Sequence, residues 1–164
     1  MIQPNELRIR SLVKLTYEEY HDLEEDGILN DKNNIFEIRK IDNDGDIEIY
    51  NEIENLYEFQ HNENIEPIPL TEEWLIKFGF EKIGYNFRKC EDHGYGLGIT
   101  EFIIWFNTYK KTYSIKAINI LVEIKTVHRL QNLYFALTGK ELQQTNNQNL
   151  NGNEPKNART KNRN

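Results

Sequence analysis

Apolar residues recur at every second position in two stretches, Ile35 to Ile41 (IFEIRKI) and Ile47 to Ile53 (IEIYNEI), a period that gathers them on one face of a strand. Between them lies Asp42-Asn43-Asp44-Gly45-Asp46, residue types that tolerate left-handed turn conformations, so the pair predicts a β-hairpin. Leu7 to Leu15 (LRIRSLVKL) alternates in part and predicts an opening strand. Three later runs, Phe80 to Lys89, Thr100 to Asn107 and Tyr113 to Val122, are rich in Ile, Phe and Tyr and separated by turn signals, the pattern of an antiparallel meander. The period changes to that of a helix in three places. Thr16-Tyr17-Glu18-Glu19 matches a capping box and predicts a helix from Thr16 to about Glu25, ending near Gly27. Pro67 and Pro69 set an extended lead-in to Thr71, which caps a short helix with Glu72 and Glu73 in its first turn, Trp74, Leu75 and Phe78 on its apolar face, and Gly79 at its end. Thr126 opens a last helix that stops at Thr138-Gly139, with Val127, Leu130, Leu133, Tyr134 and Leu137 sharing one face.

These elements predict an α+β protein, an antiparallel sheet carrying two or three short helices, and hairpin-spaced strands exclude a wound βαβ fold. A length of 164 residues suits one core, so residues 1–142 are expected to form a single domain. From Gln143 to Asn164 the only aliphatic side chains are Leu150 and Ala158, while Asn fills eight of the 22 positions. Such a stretch cannot offset its ordering entropy by burial and is expected to be a disordered tail.

Charge alters this picture more than composition does. The net charge of −7 conceals a segregation: Tyr17 to Glu66 holds 17 acidic residues against Lys32, Arg39 and Lys40, a local balance of −14, and the remainder carries +7. Phosphate neutralisation needs a basic face, so the acidic stretch speaks against a uniform nucleic-acid binder and leaves room for a basic protein surface. The tail, with Glu154 against Lys156, Arg159, Lys161 and Arg163, is suited to weak, salt-sensitive contact with nucleic acid or with an acidic surface. No apolar run approaches the roughly 18 residues of a membrane span, and MIQPNELRIR lacks the apolar centre of a signal peptide. The expectation is therefore no membrane partner and a cytoplasmic location.

Candidate chemistry is sparse. Val122-Glu123-Ile124-Lys125-Thr126 places an acid and a lysine at a strand end, as nucleases of the PD-(D/E)xK type do, where the acid holds a metal and the lysine stabilises the attacking hydroxide or the phosphate. That chemistry also needs an Asp from a preceding strand, and only Asp92 and Glu101 offer themselves. His21, His61, His93 and His128 are scattered, with no pair at the i, i+4 spacing of zinc ligands, and the lone Cys90 excludes both a cysteine zinc site and an internal disulfide. Starting from Asp42, the glycine falls at the fourth position instead of the sixth, which excludes an EF-hand calcium loop. His93-Gly94-Tyr95-Gly96-Leu97-Gly98 spaces its glycines too closely for a dinucleotide fingerprint and predicts a flexible loop. No cofactor and no catalytic set are expected. The surface that remains is the second face of the last helix, His128, Gln131, Asn132 and Phe135, a candidate strip for a protein partner whose alternative is packing at the helix edge.

Two stretches are individual enough to compare: Pro67-Ile68-Pro69-Leu70-Thr71-Glu72-Glu73-Trp74-Leu75 with Lys77-Phe78-Gly79-Phe80, and the run from Val127 to Leu142 (VHRLQNLYFALTGKEL). They resemble a family of small proteins encoded by phages and prophages of Bacteroidetes, crAss-like phages included, which read ELRIGN(L/Y)V near the start, PIPLTEEWLxKxGFEK in the middle and VHQLQNLYFALTGEEL at the end. The likeness covers roughly residues 6–15 and 65–142. Here Arg10 and Ser11 stand where the opening has Gly-Asn, and Arg129 and Lys140 replace Gln and Glu. The acidic 16–64 region is particular to this chain. With 20 Ile, 3 Val and 21 Asn, the composition suits an AT-rich genome. The resemblance brings no enzymatic activity and no site residues. Together with the acidic 17–66 region and the absence of a catalytic set, it leads us to expect a non-enzymatic phage accessory protein that binds another protein, a host or defence factor or a virion component, in the bacterial host cytoplasm or in the virion; the alternative is a nucleic-acid-binding protein or a metal-dependent nuclease of the PD-(D/E)xK type.

Overall fold

A computed structural model describes residues 6–27, 34–42, 44, 46–92, 99–117 and 120–145. The architecture is α+β, two five-stranded antiparallel sheets with three helices. In the first sheet the order is β4-β3-β2-β1-β5, built from β1 (Leu12–Leu15), β2 (Phe36–Ile41), β3 (Asp46–Asn51), β4 (Leu56–His61) and β5 (Ile65–Glu66). The second is the expected meander, ordered β10-β9-β8-β7-β6, from β6 (Glu81–Ile83), β7 (Asn86–Asp92), β8 (Ile99–Asn107), β9 (Thr112–Ala117) and β10 (Ile120–Ile124). Helix α1 (Tyr17–Glu25) follows β1, α2 (Glu72–Lys77) precedes β6, and α3 (Val127–Thr138) follows β10.

The hairpin read from the alternating isoleucines is β2–β3. Phe36, Ile38, Ile47 and Ile49 are buried with Val13, Leu15 and Ile65, and Tyr20, Leu23 and Leu7 close over them. In the turn, Asp42 Oδ1 accepts from the backbone N–H of both Asp44 and Asp46, at 3.0 and 2.9 Å, so its carboxylate serves the loop in the way an Asx turn does. The second core is larger. Trp74, Leu75 and Phe78 from around α2 and Val127, Leu130 and Tyr134 from α3 pack against Phe87, Phe102, Ile104, Tyr113 and Ile115 of the meander.

Strand β1 touches both cores. Side chains alternate across a strand, and here Leu12 joins the second core while its neighbour Val13 is fully buried in the first. A further seam lies at Ile68 to Leu70, where the Pro-bearing segment bridges Thr126. Leu70 N–H donates to Lys125 C=O at 2.8 Å and Val127 N–H to Ile68 C=O at 2.9 Å. The prolines keep this segment extended, so it adds to the end of β10 and sets the entry to α3.

Several expectations need correction. The opening strand is shorter than Leu7 to Leu15, because the chain turns at Ile9 and Arg10, and Arg10 takes φ 71°, a left-handed conformation that favours glycine. That is the position at which the resembled opening has Gly. Thr16 is the N-cap residue of α1, yet its side chain makes no capping hydrogen bond; Glu19 accepts instead from Asn64 Nδ2. The run Phe80 to Lys89 is two strands, β6 and β7, joined by the turn Gly84-Tyr85, and Tyr113 to Val122 is likewise divided between β9 and β10. Strands β4 and β5 lie at the end of the acidic stretch, beyond Ile53, where no element was expected. Residues Gln143 to Thr145, assigned from sequence to the tail, lie against α2: the N–H and the hydroxyl of Thr145 both donate to Lys77 C=O, and Leu142 is buried. Residues 146–164 and the glycine-spaced 93–98 segment lie outside the described residues.

The end of α2 shows how tightly local sequence and packing agree. Phe80 N–H reaches Leu75 C=O and Gly79 N–H reaches Ile76 C=O, the paired bonds of a Schellman motif, with Gly79 at φ 77°. A Cβ at Gly79 would meet Thr145 Cγ2 at 3.0 Å. Gly79→Ala therefore carries both a left-handed strain and a clash, and we expect a loss of about 1–2 kcal/mol in urea-induced unfolding, with an unchanged m-value.

Candidate functional site

The strip expected to meet a protein partner is occupied by the chain itself. His128 and Gln131 are buried, Asn132 is half-buried, and Phe135 alone is exposed. Gln131 Oε1 accepts from Leu12 N–H at 2.9 Å, and its Nε2 donates to Arg10 C=O at 3.1 Å, so one side-chain amide pairs with the backbone just before β1 as a neighbouring strand would. Asn132 Nδ2 donates to Glu6 C=O at 2.7 Å, while its Oδ1 accepts from Arg8 Nε. Arg8 then forks onto Glu141 through two bonds of 2.7 and 2.9 Å, and its guanidinium lies 4.2 Å from the centre of the Phe135 ring. Arg129 pairs with Glu6. The amphipathic pattern of α3 was thus sound, and its polar face binds residues 6–12.

These contacts carry measurable consequences. Replacing Gln131 by Leu preserves volume but leaves the Leu12 N–H and the Arg10 C=O without their partner, and we expect a loss of about 2–4 kcal/mol in chemical denaturation. His128 is 1% exposed with Nδ1 unpartnered, and burial pushes its pKa down, against a smaller upward pull from Glu6 and a further downward push from Arg129. The sign follows from linkage. At neutral pH and above, neither state binds the proton; below about pH 6.5 the unfolded chain takes it and the folded chain does not, so stability falls as pH falls. A His128→Gln variant is expected to lack this part of the slope, at most about 1.4 kcal/mol per pH unit, when unfolding is compared from pH 7.5 down to 5.

The acid–lysine pair of β10 is less promising as chemistry. Glu123 and Lys125 are exposed and pair with each other at 3.9 Å. Glu123 stands opposite Ser114, and Ser114 opposite Trp105. Glu101 is four residues further along β8 and two strands across, about 16 Å away at ~3.3 Å per residue and ~4.8 Å per strand. Two ligands of one metal ion cannot span that gap. Arg88 approaches Glu101 at 3.7 Å. Asp92 closes β7, and its side chain lies outside the described residues. Among the described residues no three of His, Cys, Asp and Glu come together as metal ligands do. Cys90 is exposed on β7.

What the fold does assemble is a face. On the side of the first sheet turned from its core, Leu12, Glu37, Tyr50 and Tyr57 stand in one row across β1, β2, β3 and β4. The row begins in the second core at Leu12 and ends in solvent. Glu37 is held between two guanidinium groups, Arg39 Nη1 at 3.4 Å and Arg10 Nη1 at 3.7 Å. Arg39 also lies over the Tyr50 ring at 4.7 Å, and Tyr50 meets Tyr57 at 4.5 Å between centroids. Two adjoining cavities of about 250 and 270 Å³ open beside this row, sharing Leu12, Glu37, Glu52 and Gln144 in their walls. Beyond Tyr50 nothing described covers the sheet: Tyr57 is 56% and Phe59 66% exposed on β4. The cations of this face, Arg10, Arg39 and Lys40, stand at or before β2, with Lys40 opposite Glu48, and the charge turns acidic from β3 to the edge. Between residues 41 and 76 there are 11 acidic residues and no Lys or Arg.

Sequence reasoning located the acid but missed the aromatic edge. The alternation was present in Tyr57-Glu58-Phe59, but with its aromatic side outward and with Leu56, Glu58 and Gln60 towards the core. Gln60 is buried and accepts from Asn64 Nδ2 at 2.9 Å. A pattern search that seeks apolar residues inside passes over such a strand.

Fold and face together define an α+β protein of two antiparallel sheets, one of which presents an acidic and aromatic surface. Compared with protein-family models, with curated proteins and with solved structures, the chain matches none. No described helix is long and apolar enough to cross a membrane.

Proposed function

We propose that the protein works by binding another protein, through the acidic face of the first sheet, and that its partner presents a basic surface. The observation that carries this reading is the open half of that sheet, where Tyr57 and Phe59 stand in water on an edge strand, beside Asp46 and Glu48 of β3, in a β3–β4 hairpin that holds no Lys or Arg; the nearest cations, Arg39 and Lys40, lie on β2. Exposed aromatics in a charged rim are the composition of a binding surface. One-signed charge steers an oppositely charged partner and repels like-charged ones.

With the resemblance to phage and prophage proteins, the reading becomes that of a non-enzymatic accessory protein directed at a host or defence factor or at a virion component. It acts in the bacterial cytoplasm or travels in the particle. Metal-dependent cleavage of nucleic acid through Glu123 and Lys125 gains no support from their placement, since Glu101 is too distant to complete a site with them. The basic tail supplies at most a salt-sensitive contact with nucleic acid.

The test is a tagged capture from infected host lysate after nuclease treatment, run in parallel with a Glu48→Lys/Glu52→Lys/Glu54→Lys variant whose unfolding midpoint is matched to the parent. Glu48 stands on the outer face and Glu52 and Glu54 lie in the turn before β4, so the fold tolerates the changes at modest cost. We expect a protein held by the parent at stoichiometric level, lost at least about tenfold in the variant, and weakened as salt is raised. Undiminished capture by the variant, or capture that disappears with nuclease, overturns the reading.

A further inference from the structure

The open edge of the first sheet specifies how the partner is held. We propose that β4 takes a basic, extended segment of the partner as a sixth strand, paired along Leu56–His61. This rests on the protein-binding reading and supplies its mode.

Among the described residues no strand pairs the outer edge of β4, whereas the opposite edge of the sheet is formed by the two-residue β5. An edge strand is a template for another strand unless something blocks it, and the usual blocks are proline, lysine, a bulge or a very short length. None is present. Strand β4 is six residues long with no Pro or Lys, its register with β3 runs unbroken from Asn51–Leu56 to Asp46–His61, and the one irregularity lies between β2 and β3. Addition of a strand would extend every row already formed. Partner side chains would stand about 5 Å from Tyr57 and Phe59 on the outer face and from Leu56, Glu58 and Gln60 on the inner one.

Charge decides which strand fits. The β3–β4 hairpin, residues 46–61, carries Asp46, Glu48, Glu52, Glu54 and Glu58 and no Lys or Arg. A second copy of this chain pairing β4 to β4 joins two such acidic hairpins in one sheet and brings the two Glu58 side chains to the same seam, and like charges drawn together disfavour the pairing. A segment with Arg or Lys at alternate positions meets the reverse situation. Its cations lie over the Tyr57 and Phe59 rings with Glu48, which pairs with Phe59 in the register, one strand further in. The molecule already shows this arrangement one strand away, where Arg39 lies over Tyr50 beside Glu37. Backbone bonds then give affinity and the alternate pockets give selectivity, as in strand addition generally.

The probe is a fluorescein-labelled peptide of about ten residues alternating arginine and valine, titrated with the full chain and followed by fluorescence polarisation. Two further peptides carry N-methyl groups on every second residue, one set on the arginines and the other on the valines. In a strand, alternate N–H groups point to the same edge, so one set faces β4 and the other faces solvent. We expect one methylated peptide to bind at least about tenfold more weakly than the parent peptide and the other to bind within about twofold of it. A Tyr57→Ser/Phe59→Ser chain, altered only at exposed positions, is expected to weaken binding of the parent peptide by a similar factor.

Equal binding of all three peptides overturns strand addition. If that binding is still lost in the Glu48→Lys/Glu52→Lys/Glu54→Lys variant, the acidic face as a protein-binding surface stands while its mode fails. If no peptide binds and the lysate capture also fails, both readings fall. Sedimentation showing a dimer that Phe59→Ser dissociates would assign the edge to a second copy and overturn the proposal as well.

Discussion

Strand β1 is the constraint on which the rest of the structure depends. It is four residues long, and two consecutive ones, Leu12 and Val13, are buried on opposite sides in different cores. A strand can do this because its side chains alternate, and it leaves β1 almost no freedom. A slip of one residue would exchange Leu12 with Val13 and turn Lys14, now paired with Glu66 at 2.8 Å, towards the first core. The register of β1 against β2 and β5 is therefore set from both faces at once. It in turn places Glu37 and Tyr50 in the row that leads from the second core to the open edge.

The polar contacts of α3 serve the same strand. Gln131 satisfies the backbone at Leu12 and Arg10, Asn132 and Arg129 hold Glu6, and Arg8 forks to Glu141 beyond the helix. Buried amides of this kind contribute little net stability when satisfied and cost a great deal when broken, so their effect is to admit one path for residues 6–12. Arg10 holds its left-handed conformation within this network, anchored through its own carbonyl and through its N–H to Ile38 C=O at 2.7 Å. A face of α3 that reads as available to a partner is consumed in positioning β1, and the surface left for a partner moves to the far edge of the first sheet.

How much of this was legible follows from where each signal resides. The β2–β3 hairpin and the helices α2 and α3 were readable because their determinants are local: alternate isoleucines, a Thr that accepts from Trp74 N–H, and glycines with φ of 77° and 70° that stop the helices. The split of Phe80 to Lys89 at Gly84-Tyr85 was missed because a two-residue turn interrupts the apolar pattern by less than one strand period. Strand β4 was missed because its aromatics face water and its inner side is polar, the inverse of the rule used to find strands. The strip of His128, Gln131, Asn132 and Phe135 was correctly seen as distinct from the apolar face of α3. Its partner was invisible because the matching groups lie about 120 residues earlier in the chain.

By itself the sequence determined the class of fold, the hairpin, the meander, the three helices and the concentration of acid in one region, since each follows from short-range periodicity, capping residues or counting. Tertiary structure alone decided three things. It divided the strands between two sheets and put β1 between two cores. It assigned the polar face of α3 to the chain's own residues 6–12. It left the aromatic side of β4 in solvent beside the carboxylates of β3. These outcomes depend on which distant segments meet, and a pattern of polar and apolar residues states only that a side chain needs a partner, not which one it finds.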